Sequence, residues 1–335
     1  MNERKEEIYH FSFNNDREGI TYAIQRIKQY ESSAVMESTG NYWIMLYDML
    51  DESGIPVRLA NPLKTKLIAE AKLKDDRLDS RRLADLLRGD NICDSYVPDR
   101  EKRALREIMR QRIGLVHERT RLKERVISIV DKYRYKSPFA DMFSNSGIKW
   151  LKTINVSWAD RMAIDSLLAA QLNEEIQKFD SKIASIAVED NNVRLLMTMP
   201  GINFVTAQTI MAEIVDIKRF TTPYKLISYA GLTPSRRDSG NKKTRGMKIT
   251  HEGSSWLRYA MVEAAGTTIM YDERIREFYT RVAKRRGPQK AKVAAAREML
   301  FILWQMLTKS EPYRGSNPRM TQEKYKSMER KAKLA

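Results

Sequence analysis

The feature that most limits how this chain can fold is a ladder of Leu105, Ile108, Arg112, Leu115, Arg119, Leu122, Val126, Ile129 and Tyr133, spaced by alternating steps of three and four. Seven of the nine positions are apolar or aromatic, the register of a coiled coil, so one long helix is predicted. At 1.5 Å per residue such a helix is on the order of 50 Å long. Residues 137–158 contain Pro138, Gly147 and two tryptophans and read as a tip or turn. A second amphipathic helix follows, bearing Leu168, Leu172, Ile176, Phe179, Ile183 and Ile186. The two helices can pack as an antiparallel hairpin or against a second protomer, and both arrangements stay open. The continuous heptad seam favours at least a dimer.

Upstream, residues 1–95 alternate strand and helix patterns. A strand is predicted at Ile8–Phe13, a helix at Gly19–Tyr30, a strand at Ser33–Glu37, a helix at Tyr42–Leu50 and a strand at Pro56–Ala60. A last helix opens near Asp75 and closes at Gly89. This is an α/β layer, and the Ser38-Thr39-Gly40-Asn41 turn follows a strand end, where active sites of such sheets lie.

The last helix carries an anomaly. In Lys74-Asp75-Asp76-Arg77-Leu78-Asp79-Ser80, Asp76 and Asp79 share a face with Leu83 and Leu86, so two carboxylates fall on an otherwise apolar stripe. Burying them unpaired is costly, and an inward pair calls for a cation or donors. Glu37, at a strand end, is a third candidate ligand. Hard divalent ions such as Mg²⁺ take carboxylate oxygens and keep several waters, which suits chemistry at phosphorus. The plainer alternative is that Asp75 and Asp76 cap the helix, Asp79 complements its dipole, and Glu37 is a solvated charge.

Charge indicates the partner. The 335 residues hold 60 Lys and Arg against 43 Asp and Glu, a formal charge of +17. Such a chain attracts polyanions, nucleic acid first, because lysines and arginines that displace counterions from phosphates supply most nonspecific affinity. There is no apolar run of transmembrane length and no signal-peptide pattern, so no membrane partner and a cytoplasmic location are expected. The single cysteine, Cys93, precludes an intramolecular disulfide, and three scattered histidines offer no zinc spacing.

Residues 191–285 form the next region, with a basic helical tail over 286–335 after a helical region at 96–190. Met199-Pro200-Gly201-Ile202-Asn203-Phe204-Val205-Thr206 resembles the turn of a helix-hairpin-helix module, in which backbone N–H groups hold a phosphate; Gly201, Asn203 and Thr206 are its candidate contacts. An ordinary Pro-Gly turn carries equal weight. Further on, a glycine- and arginine-rich loop surrounds one hydroxyl, Ser239, with Arg236, Arg237, Lys242, Lys243, Arg245 and Lys248. A serine needs help in losing its proton before it is a good nucleophile, and these cations offer field and phosphate clamping. On residue types alone, a basic phosphate-binding loop is the stronger reading and a catalytic serine the weaker. Arg258 joins Arg245 and Lys248 as a candidate phosphate contact. The Arg281-to-Arg286 run and the tail, which encloses an apolar helix at Ala294–Leu307, read as phosphate-contacting patches.

Three signatures occur in order: Met36-Glu37-Ser38-Thr39-Gly40 with Tyr42-Trp43, then Lys74 through Ser80, then Ala230-Gly231-Leu232-Thr233-Pro234 through Ser239-Gly240. Together they resemble the DEDD-type transposases of insertion sequences, the group related to the pilin-gene invertase and guided, in studied members, by a noncoding bridge RNA. The resemblance spans about His10 to Arg285. It implies an α/β plus α architecture: a RuvC-like domain of ribonuclease H fold, a coiled coil joining protomers, and a mainly helical C-terminal transposase domain. It further implies that Glu37, Asp76 and Asp79 are the second, third and fourth acidic residues and hold Mg²⁺. Ser239 would be the nucleophile that attacks a DNA phosphate, in a composite site shared between protomers.

The pattern departs at one point. The family's first Asp lies on a strand ahead of Tyr9–Phe13, and Asp16 follows the wrong strand to replace it. An incomplete RuvC-like sheet, a 5′-truncated or mis-started chain and impaired catalysis are therefore expected. Three functions compete: a Mg²⁺-dependent DNA transposase or recombinase with a serine nucleophile, a noncatalytic DNA- or RNA-binding remnant or inhibitor, and a RuvC-like metal-dependent nuclease for which Ser239 is irrelevant.

Overall fold

The computed structural model describes residues 1–2, 4–62, 64–65, 76–170, 172–235, 238–239, 242–243 and 248–335. Of Asp76, Asp238, Ser239, Lys242 and Lys243 it describes the backbone alone. The chain divides into two compact units, Met1–Pro98 and Asp99–Ala335.

The first unit is built on one βαβ crossover. Strand β1 (Ala34–Glu37) and strand β2 (Val57–Ala60) pair in parallel, Ala34 opposite Val57 and Glu37 opposite Ala60, and α2 (Tyr42–Glu52) makes the connection that parallel strands require. Helix α1 (Arg17–Ile27) precedes β1, with Asp16 as its N-cap accepting from the Gly19 amide at 2.7 Å. Ile20, Ile24, Met36, Leu50, Ile55 and Leu59 form the core. Helix α3 (Asp76–Arg88) packs on β1, and the chain after it returns to β2, where the Ser95 amide donates to the Leu59 carbonyl. Arg58 ties that return down by bonding Asp90 at 2.6 Å and Asp94 at 2.7 Å. The hydrogen bonds to Asp94 and Asp90 raise the Arg58 pKa, and the same partner lowers that of Asp94.

The strand predicted at Ile8–Phe13 is not a strand. Its period of two survives, since Tyr9, Phe11 and Phe13 stack in sequence and Phe11 meets Tyr22 of α1 edge-on at 6.0 Å. No backbone ladder forms along it among the described residues. Aromatic alternation was satisfied by packing on a helix, which needs no partner strand. The sheet here has two strands, and the described residues as a whole are mainly helical.

The second unit is helical. Helix α4 (Arg100–Lys132) is the long helix, with Asp99 as its N-cap. Helix α5 (Asn145–Leu151) lies in the tip, and α6 (Trp158–Ala169) and α7 (Asn173–Ala187) occupy the span read as one amphipathic helix. That span is divided near Ala170 without glycine or proline; Glu174 and Glu175 in the first turn of α7 favour the new N-terminus. Helix α7 runs antiparallel to α4, and the two polar seam positions meet it: Arg112 pairs with buried Asp180 at 2.6 Å, and Arg119 donates to Asn173 at 3.0 Å. The predicted seam is thus used within one chain. Met109, Ile113 and Val130 are buried beside it, so the apolar stripe is wider than a two-stranded coil needs, because α4 also packs on a further helix. At the tip, Asp160 accepts from Lys132, Tyr133 and Ser157, which pulls its pKa down to about 2.

That further helix is α9 (Phe204–Ile214), preceded by α8 (Asn191–Met197). Ten of its eleven residues are buried, as expected of a helix surrounded on all sides. Helices α10 (Pro223–Tyr229), α11 (Ser255–Tyr271), α12 (Glu273–Arg286), α13 (Pro288–Lys309) and α14 (Pro318–Ala332) complete the unit. Much of the segment read as a tail is core: Ala295, Met299, Leu300 and Leu303 are fully buried. Lys324 of α14 donates to the Met197 and Met199 carbonyls at 2.8 and 2.7 Å, and burial lowers its pKa to about 8.

Candidate functional site

The candidate acidic residues occupy the end of β1 and the start of α3, which pack together. Glu37 closes the strand and is exposed, its Oε1 accepting from Thr39 Oγ1 at 2.7 Å. Beyond it the chain turns into α2 through Gly40, whose φ of +53° suits glycine. Asp76 opens α3. Asp79 follows one turn later with its side chain 48% exposed, so the carboxylate is not drawn inward as the sequence reading expects; Leu83 and Leu86 are half-buried, and Arg77, Leu78 and Arg81 face solvent. Asp79 has a donor, Arg82, at 3.1 Å. An all-carboxylate set suits a hard divalent cation in its chemistry, but among the described residues no three metal-ligating side chains converge. The Asp76 side chain lies outside the described set.

The second candidate region is the Ser239 segment, which is a β-ribbon rather than a loop. Strand β3 (Asp238–Ser239) pairs antiparallel with β4 (Lys242–Lys243), Ser239 opposite Lys242. Further down, Pro234 bridges Ile249, the Ser235 amide and hydroxyl both donate to the Lys248 carbonyl, and the Thr250 amide donates to Thr233. Arg236, Arg237 and Arg245 lie outside the described residues; Lys248 is exposed.

What sequence reading missed is the base of this ribbon. Glu213, in α9, is 2% exposed and accepts two hydrogen bonds from Arg110 of α4, at 2.9 and 3.1 Å. Its second oxygen also accepts from Ser254 Oγ at 2.9 Å, and Ser254 caps α11 immediately after the ribbon. A buried carboxylate is tolerable only when so paired. The Ser254 amide donates to the Tyr229 carbonyl, and beside it Gly253 has φ +88°, where a Cβ would lie 2.1 Å from that oxygen. Arg258 donates to the Ala230 carbonyl at 3.0 Å, and burial lowers its pKa. Arg258 therefore helps to hold the end of α10, ahead of the ribbon. One clue stood in the sequence: Glu213 is the single charged residue in the stretch Phe204–Ile214.

The helix-hairpin-helix-like turn is also explained by packing. At Gly201, φ is +80° and a Cβ would fall 2.5 Å from Thr268 Oγ1 and 2.7 Å from the Ala264 carbonyl, so α11 approaches too closely for any other residue. Thr268 Oγ1 donates to the Pro200 carbonyl at 2.7 Å. Asn203 is exposed and caps α9 by accepting from the Thr206 amide at 2.8 Å. Among the described residues no helix is long and apolar enough to cross a membrane.

Comparison with known proteins covers both regions. A family model described as a transposase, of the DEDD type found in IS110 elements, matches residues 1–135, and one described as Transposase IS116/IS110/IS902 family matches residues 193–280. The chain is 25% identical over 291 residues to the transposase for insertion sequence element IS1111A of Coxiella burnetii, covering 84% of this chain and 79% of that one. It is 26% identical over 250 residues to the putative transposase y4qE of Sinorhizobium fredii, covering 74% and 62%. To the pilin gene-inverting protein of Moraxella bovis it is 23% identical over 313 residues, covering 90% and 89%.

Proposed function

Since the chain belongs to the IS110/IS116 family of DEDD transposases, we propose that it cleaves and exchanges DNA strands with Ser239 as nucleophile and Glu37, Asp76 and Asp79 as ligands of Mg²⁺. In this reading Ser239 Oγ attacks a DNA phosphorus and its proton passes to solvent. One phosphorus–oxygen ester bond breaks, the departing sugar oxygen takes up a proton, and the DNA is left joined to the protein as a phosphoserine ester. Attack by the sugar hydroxyl of another strand breaks that ester and reseals DNA in a new arrangement. The divalent ion, when bound, supplies charge stabilisation at phosphate oxygens.

The chain's own residues supply the rest. Arg236, Arg237, Lys242, Lys243, Arg245 and Lys248 flank Ser239 and clamp phosphates around it. Gly201, Asn203, Thr206 and Arg258 are additional nucleic-acid contacts. The single observation that carries the reading is the ribbon: Ser239 is held on a paired hairpin whose base is fixed by a buried charge network, as the positioning of a nucleophile demands. The RuvC-like fold, a guide RNA that selects DNA by base pairing, and a second copy of the chain that completes the site belong to the same proposal.

The test is cleavage of supercoiled DNA bearing the ends of the encoding element, with and without the guide transcript. Activity that requires Mg²⁺ and disappears in Glu37→Gln, Asp76→Asn, Asp79→Asn and Ser239→Ala supports the proposal. Cleavage that persists in Ser239→Ala assigns the chemistry to metal-activated water. Binding without cleavage by the intact chain makes it a binder.

A further inference from the structure

Helices α12 and α13 form an antiparallel pair around Gly287, and α10 closes one side of a cleft of about 300 Å³ between them. Its walls include Tyr224, Phe278, Arg297, Glu298 and Phe301. Tyr224 is 63% exposed and meets Phe301 at 6.2 Å with the rings inclined by 67°, a contact on one side that leaves much of the residue open to a ligand. Spacing extends the cleft into two mixed tracks. On α12, Arg274, Phe278, Arg281 and Arg285 follow steps of four and three; on α13, Lys290, Ala294, Arg297 and Phe301 do the same. Arg281 lies 5.5 Å from the Phe278 ring centroid. The one carboxylate in the cleft, Glu298, is paired with Arg274 at 3.3 Å. Arg285, Lys290 and Arg297 make no ion pair or hydrogen bond among the described residues.

Aromatic faces interleaved with unpaired cations are what an unpaired polynucleotide requires: bases stack on the rings while phosphates follow the charges. A duplex keeps its base faces inside its own stack and has nothing to offer Tyr224. An acidic protein segment would use the cations but not the exposed aromatic residue. We infer that the α10–α12–α13 cleft is a binding track for single-stranded DNA, distinct from the Ser239 ribbon. The choice of DNA rests on the proposed function, because strand exchange frees unpaired ends that must be held until they are rejoined.

The test is binding, which does not depend on the nucleophile. Fluorescence anisotropy of the full chain is measured without divalent metal against a twelve-residue oligo-dT, a hairpin duplex and an oligo-U of equal length. Tyr224→Ala is expected to weaken oligo-dT binding about tenfold and duplex binding less than twofold, while Tyr224→Phe, which keeps the ring, binds as the parent does. Arg281→Ala and Arg297→Ala should each reduce the slope of log affinity against log salt by about 0.7. Ser239→Ala should leave all of these values unchanged, which separates failure of the track from failure of the serine chemistry. Equal losses on duplex and single strand, binding of oligo-U but not oligo-dT through Tyr224, or no loss in either variant would overturn the inference. Unchanged unfolding temperatures confirm that the variants fold.

Discussion

In Met1–Pro98 the acidic residues stand on the rim of a small core made by Ile20, Ile24, Met36, Leu50, Ile55 and Leu59, with Glu37 exposed and Asp79 bonded to a neighbour on its own helix. In Asp99–Ala335 the Ser239 ribbon rises from the largest core of the molecule, and its footing is a carboxylate buried between α4, α9 and α11. Chemistry on a rim can be removed while the fold stays. A group whose foundation is a buried carboxylate bonded to two other elements has its position and the stability of its domain set by the same bonds. The first unit should therefore separate activity from stability, and the second should couple them.

The sharpest break of that comparison is Glu37→Gln. It should lower DNA cleavage by about 10³-fold, roughly 4 kcal/mol of transition-state stabilisation, and leave the unfolding temperature within a degree or two. A large fall in thermal stability would show that the first unit is not a rim site. Glu213→Gln should do the reverse: it gives the partly exposed Arg110 a neutral partner and leaves a buried amide imperfectly bonded, with a loss of about 2 kcal/mol in chemical denaturation. Amides of residues 233–235 and 248–254 should then exchange faster with deuterium, and unchanged protection there would disconnect the network from the ribbon.

Lys324 gives a pH test of the second unit's closure. Its folded pKa, about 8, lies below the ordinary lysine value because burial disfavours the cation. Between pH 8 and about 10.5 the unfolded chain holds a proton that the folded chain has released, so this group makes stability rise with pH across that window; below pH 8 its destabilising effect is constant. Denaturant titrations should show Lys324→Met losing that rise, on the order of 1–3 kcal/mol. A parent and variant with parallel pH profiles would contradict the assignment. The smallest effect is expected of Lys248→Ala, which removes an exposed cation at the foot of the ribbon that the proposal assigns to a phosphate. It should weaken binding similarly across DNA sequences and shallow the salt slope by about 0.9, whereas a sequence-selective loss would mean base readout.

How much of this was legible depends on where each element finds its partner. The long helix carried its own period, and α4 appeared over Arg100–Lys132 with Arg112 and Arg119 in the seam and facing α7. The half-burial of Leu83 and Leu86 was readable for the same reason, but Asp79 does not turn inward with them, because a solvated carboxylate bonded to Arg82 costs less than a buried one. The Tyr9–Phe13 pattern misled because alternation records only that one side is apolar; a strand also needs a ladder partner, which local pattern cannot specify. The pairing of Asp238–Ser239 with Lys242–Lys243 is hard to read locally, because two-residue strands rich in charge carry no apolar alternation. Glu213 was visible as a lone charge in an otherwise uncharged stretch, but its partners Arg110 and Ser254 lie 103 and 41 residues away.

The central claim is that Ser239 forms a covalent bond to DNA. The direct measurement is to trap the full chain on DNA carrying its element's ends in the presence of Mg²⁺, digest both polymers, and locate the nucleotide-bearing peptide by mass spectrometry. The account expects a phosphodiester on Ser239, absent from Ser239→Ala. An adduct on another residue, or strand cleavage with no protein–DNA bond at any time point, would contradict it.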